Sequence, residues 1–284
     1  MDKINITAKD GTNIPAIVCS VENRPAKGVV IICYGFGEHT GMYAELAGYL
    51  KQAGYASILF DQRGHGAPPD KRKKWFGIIK SYQCFIDDID AVSKETRKLL
   101  PGVPVILYGH SMGGNIVVNA LLRGASGYAC AVLESPWLGL NKGPAPFIVK
   151  LVKFLSGIIP NFTIVNKLAI SDLSSDPTRA EGYTTDPLYH NRISLRMFTG
   201  IHEGSKYALA NAAGFPIPAF LAYAGSERII SNRAIFQFAA DAGKMVKVSE
   251  YDSCHAIHND VKHEEYFKDM IAFLDANCRG GIRI

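Results

Sequence analysis

Pro104-Val105-Ile106-Leu107-Tyr108-Gly109-His110-Ser111-Met112-Gly113-Gly114 is the stretch on which the fold of this chain turns. Its first five residues are a short apolar run of buried-strand type. Residues 114–123, Gly-Asn-Ile-Val-Val-Asn-Ala-Leu-Leu-Arg, are long and apolar enough for a buried helix. Between the two, Gly109-His110-Ser111-Met112-Gly113 fits G-x-S-x-G, the pattern of a serine on a strained turn between strand and helix. A side chain at either glycine would clash with neighbouring backbone in so sharp a turn. Such a pattern also occurs by chance, so the strand before it and the helix after it carry the reading. They place the Ser111 hydroxyl at the carboxyl edge of a sheet, beside the positive end of a helix.

Outward from this turn, strand and helix patterns alternate. Gly28-Val29-Val30-Ile31-Ile32-Cys33-Tyr34 is a β-branched run typical of a strand covered on both faces. Helices over 43–53 and 81–99 precede strands over 56–60 and 104–108, and a further strand is expected over 129–133. Two segments at the start, 3–7 and 13–20, flank Asp10-Gly11 and predict a hairpin. Alternation of this kind predicts an α/β fold, a mostly parallel sheet with helices on both faces. Ligands in such sheets lie beyond the carboxyl ends of the strands. The pattern breaks at Ser135-Pro136 and resumes at Pro216-Ile217-Pro218. The expected organisation is a core over 1–135, a helical cap over 136–215 and the rest of the core over 216–284, since so long an insertion exceeds a plain loop. One amphipathic helix is clear within it, near 147–156, where only Lys150, Lys153 and Ser156 are polar. So broad an apolar surface calls for cover, by the core, a second subunit, a fatty chain or a lipid surface.

A chain of 284 residues is long enough for one large domain, which buries about 75% of its unfolded surface. The net charge of +5 is a modest excess, densest at Lys71-Arg72-Lys73-Lys74. That run reads as a solvated loop or a weak attraction to anionic head groups. No fingerprint of nucleic-acid binding accompanies it. The six cysteines form no C-x-x-C pair; Cys33 and Cys130 fall in strand-like runs as packed thiols. Cys254 adjoins a candidate catalytic histidine, either as an inert thiol or as one that oxidants reach. No signal peptide or membrane span is visible near Met1 or elsewhere, so a reducing cytoplasm is the expected compartment.

A serine hydroxyl needs a base, and the base needs an orienting acid. His255 follows the last expected strand, in Asp252-Ser253-Cys254-His255-Ala256-Ile257-His258, and is the candidate base, with His258 second. His39 and His65 lie on early loops as supports, the His110 side chain is expected to point away from Ser111, and His190, His202 and His263 carry no motif. Glu227 is the first carboxylate after the strand near 220–224 and is the leading acid. Glu134 is its rival at an earlier strand end, Asp252 comes third, and the plain alternative for Glu227 is a surface pair with Arg228. The oxyanion donors expected are the backbone N–H groups of Met112, after the serine, and Phe36, within Tyr34-Gly35-Phe36-Gly37-Glu38-His39.

With these parts assembled, the chain resembles the monoglyceride lipase and lysophospholipase-like, serine aminopeptidase-like branch of the α/β-hydrolases. The likeness rests on Gly35-Phe36-Gly37-Glu38-His39-Thr40-Gly41-Met42-Tyr43, Asp61-Gln62-Arg63-Gly64-His65-Gly66, the Ser111 turn, Ser175-Asp176-Pro177, Thr185-Asp186-Pro187-Leu188 and His255-Ala256-Ile257-His258. It implies an α/β-hydrolase fold with the cap after the sixth strand. It also implies Ser111 as nucleophile, His255 as base, Glu227 as acid, and Phe36 and Met112 as oxyanion donors. Tyr34 stands where the family usually has histidine, and Glu227 where it usually has aspartate. The implied substrates are monoacylglycerols, lysophospholipids or small acyl esters. The expected enzyme uses no cofactor and no metal, and the apolar cap helix is the candidate for transient lipid contact. Two other readings remain: an aminopeptidase or amidase using cap carboxylates among Asp172, Asp176, Glu181, Asp186 and Glu203, and a binding protein without catalysis.

Overall fold

The computed structural model describes residues 1–22, 25–68, 75–166 and 168–278. The basic run Lys71-Arg72-Lys73-Lys74 lies outside them. Eight strands form the central sheet: β1 (Asp2–Thr7), β2 (Asn13–Cys19), β3 (Val29–Cys33), β4 (Ala56–Phe60), β5 (Val105–His110), β6 (Cys130–Glu134), β9 (Ala219–Ala224) and β10 (Val246–Tyr251). Their spatial order is β1-β2-β4-β3-β5-β6-β9-β10. β1 and β2 pair as the antiparallel hairpin, β2 meets β4 antiparallel, and every later pair is parallel. β3, β4, β5 and β6 are buried along their whole length, as unbroken apolar runs covered on both faces must be.

Two apolar layers cover the sheet. On one face α2 (Gln83–Leu99), α3 (Met112–Leu122) and α7 (Asn232–Ala242) bury Ile89, Val117, Ile235 and Phe238. On the other, α1 (Ala44–Ala53) and α8 (His263–Asn277) bury Leu46, Leu50, Phe267 and Leu274. α3 is buried over nearly its whole length, which is why its sequence lacks a polar stripe. Arg63, in the loop after β4, ties the hairpin turn to α2, since its guanidinium reaches Asp10 at 2.6 Å and Asp88 at 2.7 Å.

The insertion after β6 carries α4 (Pro146–Ile158), β7 (Thr163–Val165), α5 (Pro177–Thr185), β8 (Arg192–Ser194) and α6 (Leu195–Ala210). β7 and β8 form a separate antiparallel ribbon. None of the α4 residues is buried, so the core does not supply the cover its sequence calls for. Phe147, Leu151, Phe154 and Ile158 are 71%, 53%, 66% and 63% exposed. The lower half of the insertion is tied to the core instead. Arg179 on α5 donates to Glu45 on α1 at 2.7 Å, and His39 pairs with Asp186 at 2.7 Å.

Candidate active site

The strand and helix that flank Ser111 meet at a corner. Ser111 has φ 50° and ψ −113°, a positive-φ conformation that L-residues rarely adopt. Close packing explains the glycines beside it. A Cβ on Gly113 would lie 2.0 Å from the Cys33 carbonyl oxygen and 2.6 Å from that of Tyr34. The start of α3 therefore presses against the end of β3, and the loop after β3 is brought beside Ser111. Backbone bonds pin the corner further, with Ser111 N donating to Glu134 O at 3.0 Å and Trp137 N to Ser111 O at 2.8 Å.

The chain's distant parts converge here. His255 Nε2 stands 2.9 Å from Ser111 Oγ, and His255 Nδ1 stands 2.7 Å from Glu227 Oε2. Glu227 Oε1 accepts from Ile229 N at 2.8 Å and Ile230 N at 3.1 Å, so both carboxylate oxygens are used. Burial opposes charge on the His255 ring, but the Glu227 carboxylate and its hydrogen bond outweigh that, and the imidazole is held above its ordinary value. Burial likewise raises Glu227, and His255 with the two backbone donors brings it below the usual range. The His255 loop is also zipped to the insertion, through His255 N to Asp172 O at 3.2 Å and Ala256 N to Leu173 O at 2.9 Å.

Glu227 does not pair with Arg228, which reaches Asp172 at 3.5 Å instead. Glu134, the rival acid, takes His258. Its Oε1 accepts from His258 N at 3.0 Å and Nδ1 at 2.8 Å, while Tyr108 donates to Oε2. Burial opposes its charge, and His258 and His110 bring its carboxyl down to about 2. Asp252 is exposed. His258 is turned to Glu134 and stacks on Tyr43 at 4.5 Å, away from Ser111. The His110 ring is buried and turned to Tyr43 and Glu38. His110 is among the residues that line the cavity, its ring 5.0 Å from the His255 ring and its Nδ1 3.0 Å from Tyr43 Oη. His110, Glu134 and His258 bring donor atoms within 4.8 Å of one another. Glu134 Oε1 already accepts two bonds from His258, and His110 Nδ1 is engaged by Tyr43 and Glu38 instead.

The loop after β3 is supported through Tyr34, the residue before its first glycine. Tyr34 Oη accepts from Gln62 N at 2.6 Å, and Gln62 Nε2 donates to Tyr34 O at 2.7 Å. Glu38 folds back to accept from Gly35 N at 2.7 Å and Tyr43 Oη at 2.6 Å. Phe36 and Ser111 share one wall of a cavity of about 350 Å³. Met112 opens α3, where a first-turn N–H has no partner within its own helix. The cavity's other walls are Trp137, Leu140, Ile164, Val165, Leu173, Ile193, Phe198 and Ile229, with Lys142, Asp172 and Arg228 among its few charged residues. Glu38 and His190 were not singled out for any task in the sequence. Glu38 does sit in the glycine-flanked loop, whereas no local signal marks His190.

A family model described as serine aminopeptidase, S33, matches residues 24–262. The chain belongs to that family. As a family member it is 27% identical over 253 residues to a monoacylglycerol lipase of Mycolicibacterium smegmatis, across 87% of this chain and 88% of the relative. An abhydrolase domain-containing protein of Dictyostelium discoideum is 27% identical over 275 residues, which span 95% of this chain but 28% of that longer protein. Among solved structures, the monoacylglycerol lipase of Paleococcus ferrophilus superposes with a TM-score of 0.83 at 27% identity, covering 94% of this chain and 100% of that one. The family member has the α/β-hydrolase fold, with its helical insertion after the sixth strand. No helix among its described residues is long and apolar enough to cross a membrane.

Proposed function

We propose that this chain hydrolyses carboxylic esters through an acyl-enzyme on Ser111, with residues 136–215 acting as a cap over the reacting groups. The observation that carries the reading is the unbroken line Glu227–His255–Ser111, with contacts of 2.7 and 2.9 Å. Ser111 Oγ attacks the acyl carbonyl as its proton passes to His255 Nε2. The Phe36 and Met112 N–H groups receive the charge that develops on the carbonyl oxygen. Glu227 holds the ring and balances the imidazolium. The alcohol departs with the proton from Nε2. A water then gives a proton to His255 and attacks the acyl carbon, and Ser111 recovers its proton as the acid leaves.

The cavity favours an ester with an apolar acyl chain, such as a monoacylglycerol or a lysophospholipid. Each methylene it buries contributes about 0.8 kcal/mol. An aminopeptidase would need a free carboxylate to hold the substrate's amine. Of the insertion's candidates, Asp186 pairs with His39, Glu203 meets Lys153 and Lys206, and Asp176 caps α5. Asp172 alone of the five lines the cavity, and Arg228 is beside it. The exposed α4 face, with Lys150 and Lys153 among its aromatics, suits transient contact with an anionic lipid surface. The six cysteines are free thiols, which suits the reducing cytoplasm we assign.

The decisive test is hydrolysis of p-nitrophenyl esters with labelling by a fluorophosphonate. Wild type should do both and Ser111→Ala neither. Full turnover by purified Ser111→Ala ends the proposal, and proline amide cleaved in preference to esters moves it to the aminopeptidase reading.

A further inference from the structure

The oxyanion loop is gripped by a residue that belongs to the insertion. His190 N donates to Gly37 O at 2.9 Å. Gly37 has φ +83°, and a Cβ there would lie 2.1 Å from the His190 carbonyl oxygen, so the two backbones are in close contact. The His190 ring then enters a slot in the core. It stacks on Phe76 at 4.6 Å, meets the Phe36 ring edge-on at 5.6 Å, and lies 4.8 Å from the His65 ring. Nε2 donates to Gly64 O at 3.0 Å, and Nδ1 accepts from Arg192 N at 3.3 Å, which assigns the Nε2–H tautomer. Burial, with the nearby His65, pushes its pKa down to about 2, so the ring is neutral at any working pH. A neutral imidazole with both nitrogens used is a fixed part, not a titrating one.

We propose that His190 is a positioning residue for the reaction, which locks the Phe36 N–H where the acyl oxygen becomes negative. This rests on the ester-hydrolase reading above. The Phe36 ring is the handle: it is held against His190 and His65, on the residue whose backbone N–H does the work. With the ring removed, Gly64 O loses its donor, Phe36 loses one wall, and the loop is free to shift. Complete loss of an oxyanion donor lowers the rate by about 10²–10³-fold. A displaced donor should lose about 10–100-fold, since a shift near 1 Å is worth about 10²-fold.

The test uses the full chain with three variants. His190→Ala removes ring and donor, His190→Phe keeps a ring without the donor, and His190→Gln keeps a donor without the ring. The readouts are kcat and KM for p-nitrophenyl butyrate, and Ki for phenylboronic acid, whose tetrahedral adduct on Ser111 places an oxygen in the same hole. The expected result for His190→Ala is kcat lowered about 10–100-fold, KM within about threefold, and Ki raised in step with the loss of kcat/KM. Partial recovery in the Phe or Gln variant supports the proposal. A boronate Ki within twofold of wild type, or a loss confined to KM, overturns it. If His190→Ala does not fold, the Phe and Gln variants read the same quantities, and wild-type values in both overturn it. An inert wild type that also resists the fluorophosphonate would instead sink the ester-hydrolase reading itself.

Discussion

Ser111 occupies a backbone conformation, φ 50° and ψ −113°, that is worth of order 1–3 kcal/mol of strain. The surrounding contacts hold it there, and the same contacts set the roles of the carboxylates. Glu227→Gln should lower kcat by about 10²–10⁴-fold, because the amide can no longer balance an imidazolium. Glu134→Gln should keep kcat within about tenfold. It should lower thermal stability by about 3 kcal/mol, because a buried pair with His258 is broken. Steady-state kinetics beside calorimetry separates the two, and a collapse of kcat in Glu134→Gln alone would reverse the assignment. The pH profile follows from His255. In the proposed mechanism His255 must be neutral to take the Ser111 proton, and its pKa is raised from 6.5. The acid limb of kcat/KM should therefore be centred above 6.5, with activity lost as pH falls through it. In Glu227→Gln the residual activity should have its limb at lower pH. The meeting of Ser111 with His255 was legible because each sits in a short segment that follows a strand. Glu227 shared candidacy with Glu134 and Asp252, since a carboxylate at any of these loops can reach, and only the fold places Glu134 on His258. His190 was illegible because its partners, Phe36, Gly64 and Phe76, lie far from it in sequence.

The elements of the core were legible within a residue or two, since short runs rich in β-branched residues, such as Val29–Cys33, favour a buried strand over a helix. In the insertion the reading found α4 and missed α5 and α6. Gly200 and Gly204 lower the helical signal of α6, yet they are there for packing. A Cβ on Gly200 would lie 2.7 Å from Tyr82 Cβ. Glycine has opposite meanings at two helical sites, which gives a paired prediction. Gly113→Ala should abolish soluble protein or lower Tm sharply, since its Cβ has only backbone carbonyls to displace. Gly48→Ala on α1, with nothing within 4 Å, should raise stability by about 0.5–1 kcal/mol. Thermal melts of the two would show opposite signs, and a tolerant Gly113→Ala would contradict the close approach of α3 to β3.

Across the whole molecule, the sequence implied a parallel sheet but not its order, because the crossovers that place β3 between β4 and β5 leave no mark on composition. The insertion's outer surface is the other feature that only the fold resolves. The apolar face of α4 was expected to find cover somewhere, and it stands open. Binding to anionic phosphatidylglycerol vesicles should be measurable by flotation and weaken with salt. Phe154→Glu should reduce it several-fold while leaving turnover of p-nitrophenyl acetate unchanged. Equal flotation by wild type and Phe154→Glu would remove the lipid role from this face.

The insertion is fastened to the core at Arg179–Glu45, His39–Asp186 and His190–Gly37, and α6 is tied to α3 through Asn115–Ser205 and Asn119–Gly204. α4 itself rests on α6, where Lys153 pairs with Glu203 at 3.3 Å. α4 thus stands one helix removed from α3, the helix that begins beside Ser111. Transplanting α4 from a relative should retune which lipids are accepted, whereas exchanging the bolted portion should cripple the chemistry.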